Sequence, residues 1–330
     1  MAAAQSSHTE DFSTTVFQDQ ALTSADWNTA DGELRLPPFT LSLVGAVGTP
    51  GPARDLVVTG HLVLVAAGTA GLQIVDARDP AAPILVGALA TPGSARDLAV
   101  AGNRVFLAAQ DAGLLVIDVT TPANPLLVGS HATPGLAQAV AVAGNLAFVT
   151  DGLGLLVIDI TDPAAPVSLG AVPTPGVAGD VAISGDVALL ADHEAGLQVI
   201  DNGYPTTPTL IGTLDTPGQA LGVDVTGKLA VVADGTAVLQ VIDLSDPTNP
   251  ALVGSVDTPG SARRDVVTGD RALVADTNGG LQVIDLSDPR APVPAAGFDA
   301  PNAPDDAVGL AVSGAHAFVA DGTAGVQIIR

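Results

Sequence analysis

Residues 39–330 predict an all-β fold, a seven-bladed β-propeller of four-stranded antiparallel blades, preceded by an extended N-terminal arm over residues 1–38. Three observations carry this reading. Thr-Pro-Gly returns at 49–51, 91–93, 133–135, 174–176, 216–218 and 258–260, a step of 41 or 42 residues each time. An apolar pentapeptide runs in phase with it, Leu-Gln-Ile-Val-Asp at 72–76, Leu-Leu-Val-Ile-Asp at 114–118 and 155–159, and Leu-Gln-Val-Ile-Asp at 197–201, 239–243 and 281–285. Each unit holds four short apolar runs punctuated by turn residues, and four strands per ~42 residues is the period of a propeller blade.

The second unit illustrates the elements in order. Its strands read as Asp97–Val100, Arg104–Ala108, Leu114–Asp118 and a fourth from Leu126 onward. Between the first two lies Ala101-Gly102-Asn103, matched elsewhere by Thr-Gly-His, Ser-Gly-Asp and Thr-Gly-Lys; Gly before a polar residue suits a tight hairpin. After the third strand come two prolines three residues apart, as at Pro122/Pro125 and Pro163/Pro166. Such a pair forbids helix and stiffens the link to the outermost strand. A weaker seventh unit ends the chain as Val326-Gln327-Ile328-Ile329-Arg330, with three extra residues before it around Asn302 to Asp306. The segment 41–47, Leu-Ser-Leu-Val-Gly-Ala-Val, has the pattern of a fourth strand and is expected to complete the last blade, so that closure removes a free sheet edge.

The pentapeptide ladder in ~42-residue units resembles the LVIVD-repeat family. Six of the seven pentapeptides match well, and Arg330 stands where the last would have Asp. The resemblance implies propeller blades, an extracellular or cell-surface location, and a binding or scaffold role. It brings no catalytic signature.

Composition excludes several function classes. The chain carries 35 acidic against 11 basic side chains, a formal charge of −24, and Lys228 is its only lysine. Nucleic acids and anionic membranes are bound through clustered cations, so neither is an expected partner. The absence of cysteine removes disulfides, zinc-thiolate sites and thiol nucleophiles. No apolar run reaches the ~18 residues of a membrane helix, so no insertion is expected. The N-terminus has no basic and apolar leader pattern, so no signal peptide is read in the chain as written. Cytoplasmic residence or prior removal of a leader both fit that. The arm is polar but holds Phe12, Phe17 and Trp27 as bulky anchors, with strands expected at Thr14–Phe17 and Glu33–Leu36 around an Asp31-Gly32 turn. It is expected to dock on its own ring or to be donated to a neighbouring copy by strand addition.

Two sets of residues fall on the face where fourth-to-first and second-to-third strand loops meet. At the channel mouth, Arg54, Asp55, Arg96, Asp97, Asp180 and Arg263 enter the innermost strands and break the sevenfold symmetry. They read either as Arg–Asp pairs across blades or as a site for a small anionic ligand on Arg54, Arg96 and Arg263, since Arg offers carboxylate a planar donor fork. The second set is Asp151, Asp192, Asp234, Asp276 and Asp321, one at the end of each second strand from the third unit on. Asx-turn caps of the hairpin loops are the expected role. A calcium site would need several oxygens converging within ~2.6 Å, which one Asp per blade supplies poorly. No metal or other cofactor is therefore expected, calcium being the one ion considered. The pentapeptide Asp residues read as turn architecture, and no zinc spacing, nucleophile elbow or phosphate loop occurs.

The sequence thus points to a non-catalytic extracellular or cell-surface scaffold for protein or ligand recognition. One alternative is a self-assembling structural subunit, filament or surface-layer-like, that uses residues 1–38 as an inter-subunit arm. A second is a hydrolase or lyase with its site at the channel mouth.

Overall fold

The computed structural model describes residues 26–28, 33–35, 40–236, 239–299 and 307–330. Within the unit Leu41–Arg330 it contains seven four-stranded antiparallel sheets, a seven-bladed β-propeller. The first blade comprises Asp55–Thr59, Leu62–Ala66, Leu72–Asp76 and Ile84–Leu89, from the innermost strand outward. The innermost strands of the others are Asp97–Ala101, Ala139–Ala143, Asp180–Ser184, Gly222–Thr226, Arg264–Thr268 and Ala307–Ser313.

Sequence character follows strand position. The second and third strands are buried almost throughout, as in Leu62–Ala66 and Leu72–Asp76, because both faces pack on neighbouring blades. Strands covered on both faces read as continuous apolar runs, which is why Leu-Val-Leu-Val-Ala lacks polar alternation. Outermost strands such as Ile84–Leu89 are largely exposed. The first hairpin of each blade is a two-residue loop whose leading Gly has positive φ, from Gly60 at 60° to Gly314 at 58°, the pattern of a type II′ turn.

Blades are joined by backbone as well as by side chains. At six of the seven blade junctions an Ala at the entrance to the innermost strand forms a β-bridge to the second-to-third strand loop of the preceding blade, as in Gly68 with Ala95 and His193 with Ala220. Ala53 bridges to Gly322, linking the first blade to the seventh. These alanines are fully or almost fully buried, so only a small side chain fits. The proline loops press on the outermost strands: a Cβ on Gly87 would lie 1.9 Å from the Pro122 carbonyl oxygen of the next blade.

Leu43–Val47 is the fourth strand of the seventh sheet, with Leu43 opposite Ile329 and Val47 opposite Val326. Ser42 and Arg330 extend the pairing through two backbone hydrogen bonds of 2.9 and 3.0 Å. N- and C-terminal segments of the ring therefore share one sheet.

In the N-terminal unit, Asp26–Asn28 pairs antiparallel with Glu33–Arg35, Trp27 opposite Leu34. The second strand is the one expected at Glu33–Leu36, whereas the one at Asp26–Asn28 was not anticipated. Phe12, Phe17, the Thr14–Phe17 strand, the Asp31-Gly32 turn and the Asn302 to Asp306 insertion lie outside the described residues.

Candidate functional site

The innermost strand of a propeller exposes one unpaired edge to the channel, and its N–H groups need acceptors. Aspartates provide them. Asp97 Oδ2 accepts from the Val140 amide at 2.6 Å, Asp180 Oδ2 from Val223 at 3.0 Å and Asp224 Oδ2 from Val267 at 2.7 Å. In each case the donor lies 43 residues on, in the next blade. Burying these carboxylates brings negative charge into the channel, and Arg264 of the sixth blade answers it. Its Nη1 stands 2.6 Å from Asp180 Oδ1, and its Nη2 lies 3.3 Å from Asp97 Oδ1 and 3.6 Å from Asp55 Oδ2.

Four blades thus meet at one guanidinium. Burial works against the Arg264 charge, but Asp180, Asp55, Asp97 and Asp265 outweigh it and hold its pKa well above the ordinary value. Burial pushes Asp180 up to about 6 despite Arg264, with Asp97 adding repulsion. Asp97 is raised well above the usual carboxylate range, by burial first, against the pull of Arg264, then by Asp55.

Above this floor opens a cavity of about 330 Å³. Arg54, Arg96 and Arg263 line it from blades one, two and six, and all three are exposed. None forms an ion pair among the described residues; the carboxylates below are engaged by Arg264 instead. Partial burial, then the like charges of Arg54 and Arg263, lower the Arg96 pKa, with Asp97 opposing. The remaining wall holds the uncharged side chains of Gln138, Val177, Leu221 and Val308, with His193 beside them. His193 Nδ1 donates to the Val177 carbonyl at 2.5 Å, which leaves Nε2 as the free ring nitrogen. His193 has φ of 48°, and Gln110 and Thr277 share this left-handed conformation at the matching loop position that is Gly68 in the first blade.

Sequence reasoning placed Arg54, Asp55, Arg96, Asp97, Asp180 and Arg263 at one mouth, and the structure brings them together there. The expected Arg–Asp pairing across blades is present, but it runs through Arg264, which was passed over in favour of its neighbour. Repeat register held the signal: Arg264 occupies the inner-strand position that is Asp55, Asp97 and Asp180 in other blades. His193 was also missed, because a lone histidine in a loop has no spacing to mark it.

The second set has a different role from the one expected. Asp192 Oδ1 accepts from the Thr174 hydroxyl at 2.8 Å and its Oδ2 from the Gly176 amide at 2.8 Å. Asp234 makes the same pair to Thr216 and Gly218, and Asp276 to Thr258 and Gly260. These are latches onto the Thr-Pro-Gly loop that enters the blade, a correction to the Asx-turn reading. Both oxygens are consumed 16 and 18 residues back in the chain, where the hairpin cannot reach. Asp151 combines the two roles, taking the Gly135 amide and, as a local turn, that of Leu153. Asp321 is contacted by Gln327 Nε2. Among the described residues no three His, Asp or Glu side chains gather into a group that could hold a metal ion. The pentapeptide aspartates do cap turns, each accepting from the amide two residues on, as Asp118 does from Thr120.

Seven blades on a repeat of 41 or 42 residues, closed by a strand from the other end of the ring, define a repeat β-propeller with a polar channel mouth. The LVIVD repeat family model matches residues 50–91, 92–133, 134–174, 175–216, 217–258, 259–298 and 304–329. The chain belongs to the LVIVD-repeat family. No curated protein matches it. Among solved structures, the crystal structure of the computationally designed Ika8 protein is similar at a TM-score of 0.64 and 12% identity, over 87% of this chain and 98% of that one. At that identity the likeness concerns the fold alone, and 1425 matching solved chains make the fold too common to imply a function.

Proposed function

We propose that this propeller is a non-catalytic recognition scaffold that holds a small acidic ligand in the cup at its channel mouth. One observation carries the reading. In a chain of net charge −24, Arg54, Arg96 and Arg263 gather around one cavity without a carboxylate partner. Crowding like charges is unfavourable unless an anion relieves it, and a guanidinium binds a carboxylate through two parallel N–H bonds. The uncharged side chains of Gln138, Val177, Leu221 and Val308 in the same cavity suit the body of a small organic molecule. A surface or extracellular setting accords with the resemblance of the repeats and with an acidic, lysine-poor exterior.

Differential scanning fluorimetry at constant ionic strength tests this reading, with succinate as the probe and chloride as the control. Succinate at a hundred times its Kd should stabilise the fold by about 2.7 kcal/mol. The Arg54→Ala/Arg96→Ala/Arg263→Ala variant should stay folded, since these side chains are exposed, and should lose the effect. Equal shifts with succinate and chloride, or a shift that survives the triple substitution, would remove the cup from the account.

A further inference from the structure

The cup has two electrostatic levels, and they ask for different things. Its rim presents three guanidiniums without counter-ions. Its floor sets three carboxylates, Asp55, Asp97 and Asp180, against the single guanidinium of Arg264. The three are not equivalent. Asp180 is satisfied by Arg264 and by the amides of Val181 and Val223. Asp97 has Arg264 and the Val140 amide. Asp55 lines the same cavity at 4% exposure and is the least well satisfied of the three: Arg264 Nη2 lies 3.6 Å from its Oδ2, and its other close neighbour is the carboxyl of Asp97.

A buried carboxylate held only by a long ion pair and a second carboxyl is poorly satisfied, so a cationic donor brought by a ligand would be favoured there. A plain dianion relieves the rim and adds repulsion to the floor. A plain diamine relieves the floor and is repelled by the rim. Only a molecule carrying both charges complements both levels.

Resting on the reading of the cup as a ligand site, we infer that its ligand is a small zwitterion of the amino-acid class. The carboxylate lies on the rim arginines, and the ammonium donates to Asp55. A cavity of about 330 Å³ accommodates a molecule of this size. A second recess of about 530 Å³, lined by Gln219, Thr236 and Ser261, shares His193, Leu221 and Arg263 with the cup and gives a polar side chain room. Asp97 faces Asp55, and burial, against the pull of Arg264, then Asp55 raises its pKa.

The test is isothermal titration calorimetry on the full chain at pH 7. The probes are the common L-amino acids, succinate, 1,4-diaminobutane and glycine betaine, whose nitrogen has no N–H. At least one amino acid should bind more tightly than the other three. Asp55→Asn, which keeps the shape, should weaken that amino acid about tenfold, the loss of one charge-assisted hydrogen bond, and leave succinate unchanged or improved. Circular dichroism checks that both Asp55→Asn and the exposed variant Arg96→Ala remain folded. If succinate binds as tightly as any amino acid and responds to Arg96→Ala but not to Asp55→Asn, the zwitterion is wrong and the acidic-ligand cup stands. If none of the probes binds, the inference falls together with the cup.

Discussion

Asp265 occupies an inner-strand position that the other six blades give to Leu56, Leu98, Val140, Val181, Val223 and Leu310. It is 2% exposed, and neither oxygen meets a well-placed donor. Burial, then the charges of Asp224 and Asp180, raise its pKa well above the ordinary value against the pull of Arg264. Replacing a buried, poorly satisfied carboxyl by an apolar side chain of similar volume is neutral or favourable. Asp265→Leu should therefore stabilise the ring by about 1–3 kcal/mol in urea denaturation at pH 7, and a loss of stability would mean that Asp265 has a favourable role in the channel. At this scale the sequence was only partly legible. Composition and register marked the Arg–Asp pairs at the mouth, but which arginine turns inward depends on strand pleat. Arg263 and Arg264 are adjacent and line the same cavity, one exposed at the rim and the other turned into the floor, a difference that alternation along a strand creates and residue type does not reveal.

Elements were far more legible, because turn chemistry is written locally. The Gly of each first hairpin and the prolines after each third strand mark boundaries that the structure keeps within a residue or two, as at Asp97–Ala101 and Leu114–Asp118. What the repeat did not reveal is where blades touch. Gly87 lies in an outermost strand where its Cα approaches the Pro122 carbonyl of the next blade, a contact between residues 35 positions apart. A Cβ at 1.9 Å from a backbone oxygen cannot be absorbed by a side-chain rotation, so strand and loop must part. Gly87→Ala should cost about 1–3 kcal/mol in the same assay, the range for overpacking. Gly102→Ala meets no heavy atom within 4 Å but has φ of 57° and should cost about 1 kcal/mol through backbone strain alone. A cost at Gly87 below that at Gly102 would argue against the inter-blade contact. The Asp latches were misread for the same reason. Asp192 looks like a local turn residue, and its partners Thr174 and Gly176 come into reach only when the blade folds.

The whole molecule couples these features to pH. Asp180, Asp97 and Asp265 have folded-state pKa values above that of an unfolded Asp, about 3.9. The folded ring therefore binds their protons more tightly, and stability falls as pH rises from about 4 through each folded value, about 6 for Asp180. A net charge of −24 acts in the same direction, since raising the pH ionises a chain already repelling itself. Asp118, Asp159, Asp243 and Asp285 oppose it in stronger acid. Hydroxyls and amides of Thr120, Thr161, Ser245 and Ser287 lower their pKa values, and stability tied to them is lost as pH falls below about 4. Denaturation midpoints should accordingly be highest near pH 4–5 and lower at pH 7. Asp265→Leu should flatten the alkaline side. A midpoint that climbs steadily to pH 7 would contradict the buried protons. Blade number and Arg–Asp pairing at the mouth were readable from the repeat, whereas the gathering of carboxylates from the first, second and fourth blades on the single Arg264 of the sixth was not, because it depends on how the ring closes.

The claim on which the functional account turns is that the free arginines of the mouth receive the ligand while the buried one does not. Two-dimensional NMR of the arginine Nε–H groups, assigned by single substitutions and followed during titration with the tightest amino acid or succinate, addresses it directly. The account predicts that Arg54, Arg96 and Arg263 shift together and saturate together, while Arg104 and Arg271 stay fixed. Saturating shifts confined to arginines away from the mouth, or none at all, would contradict it.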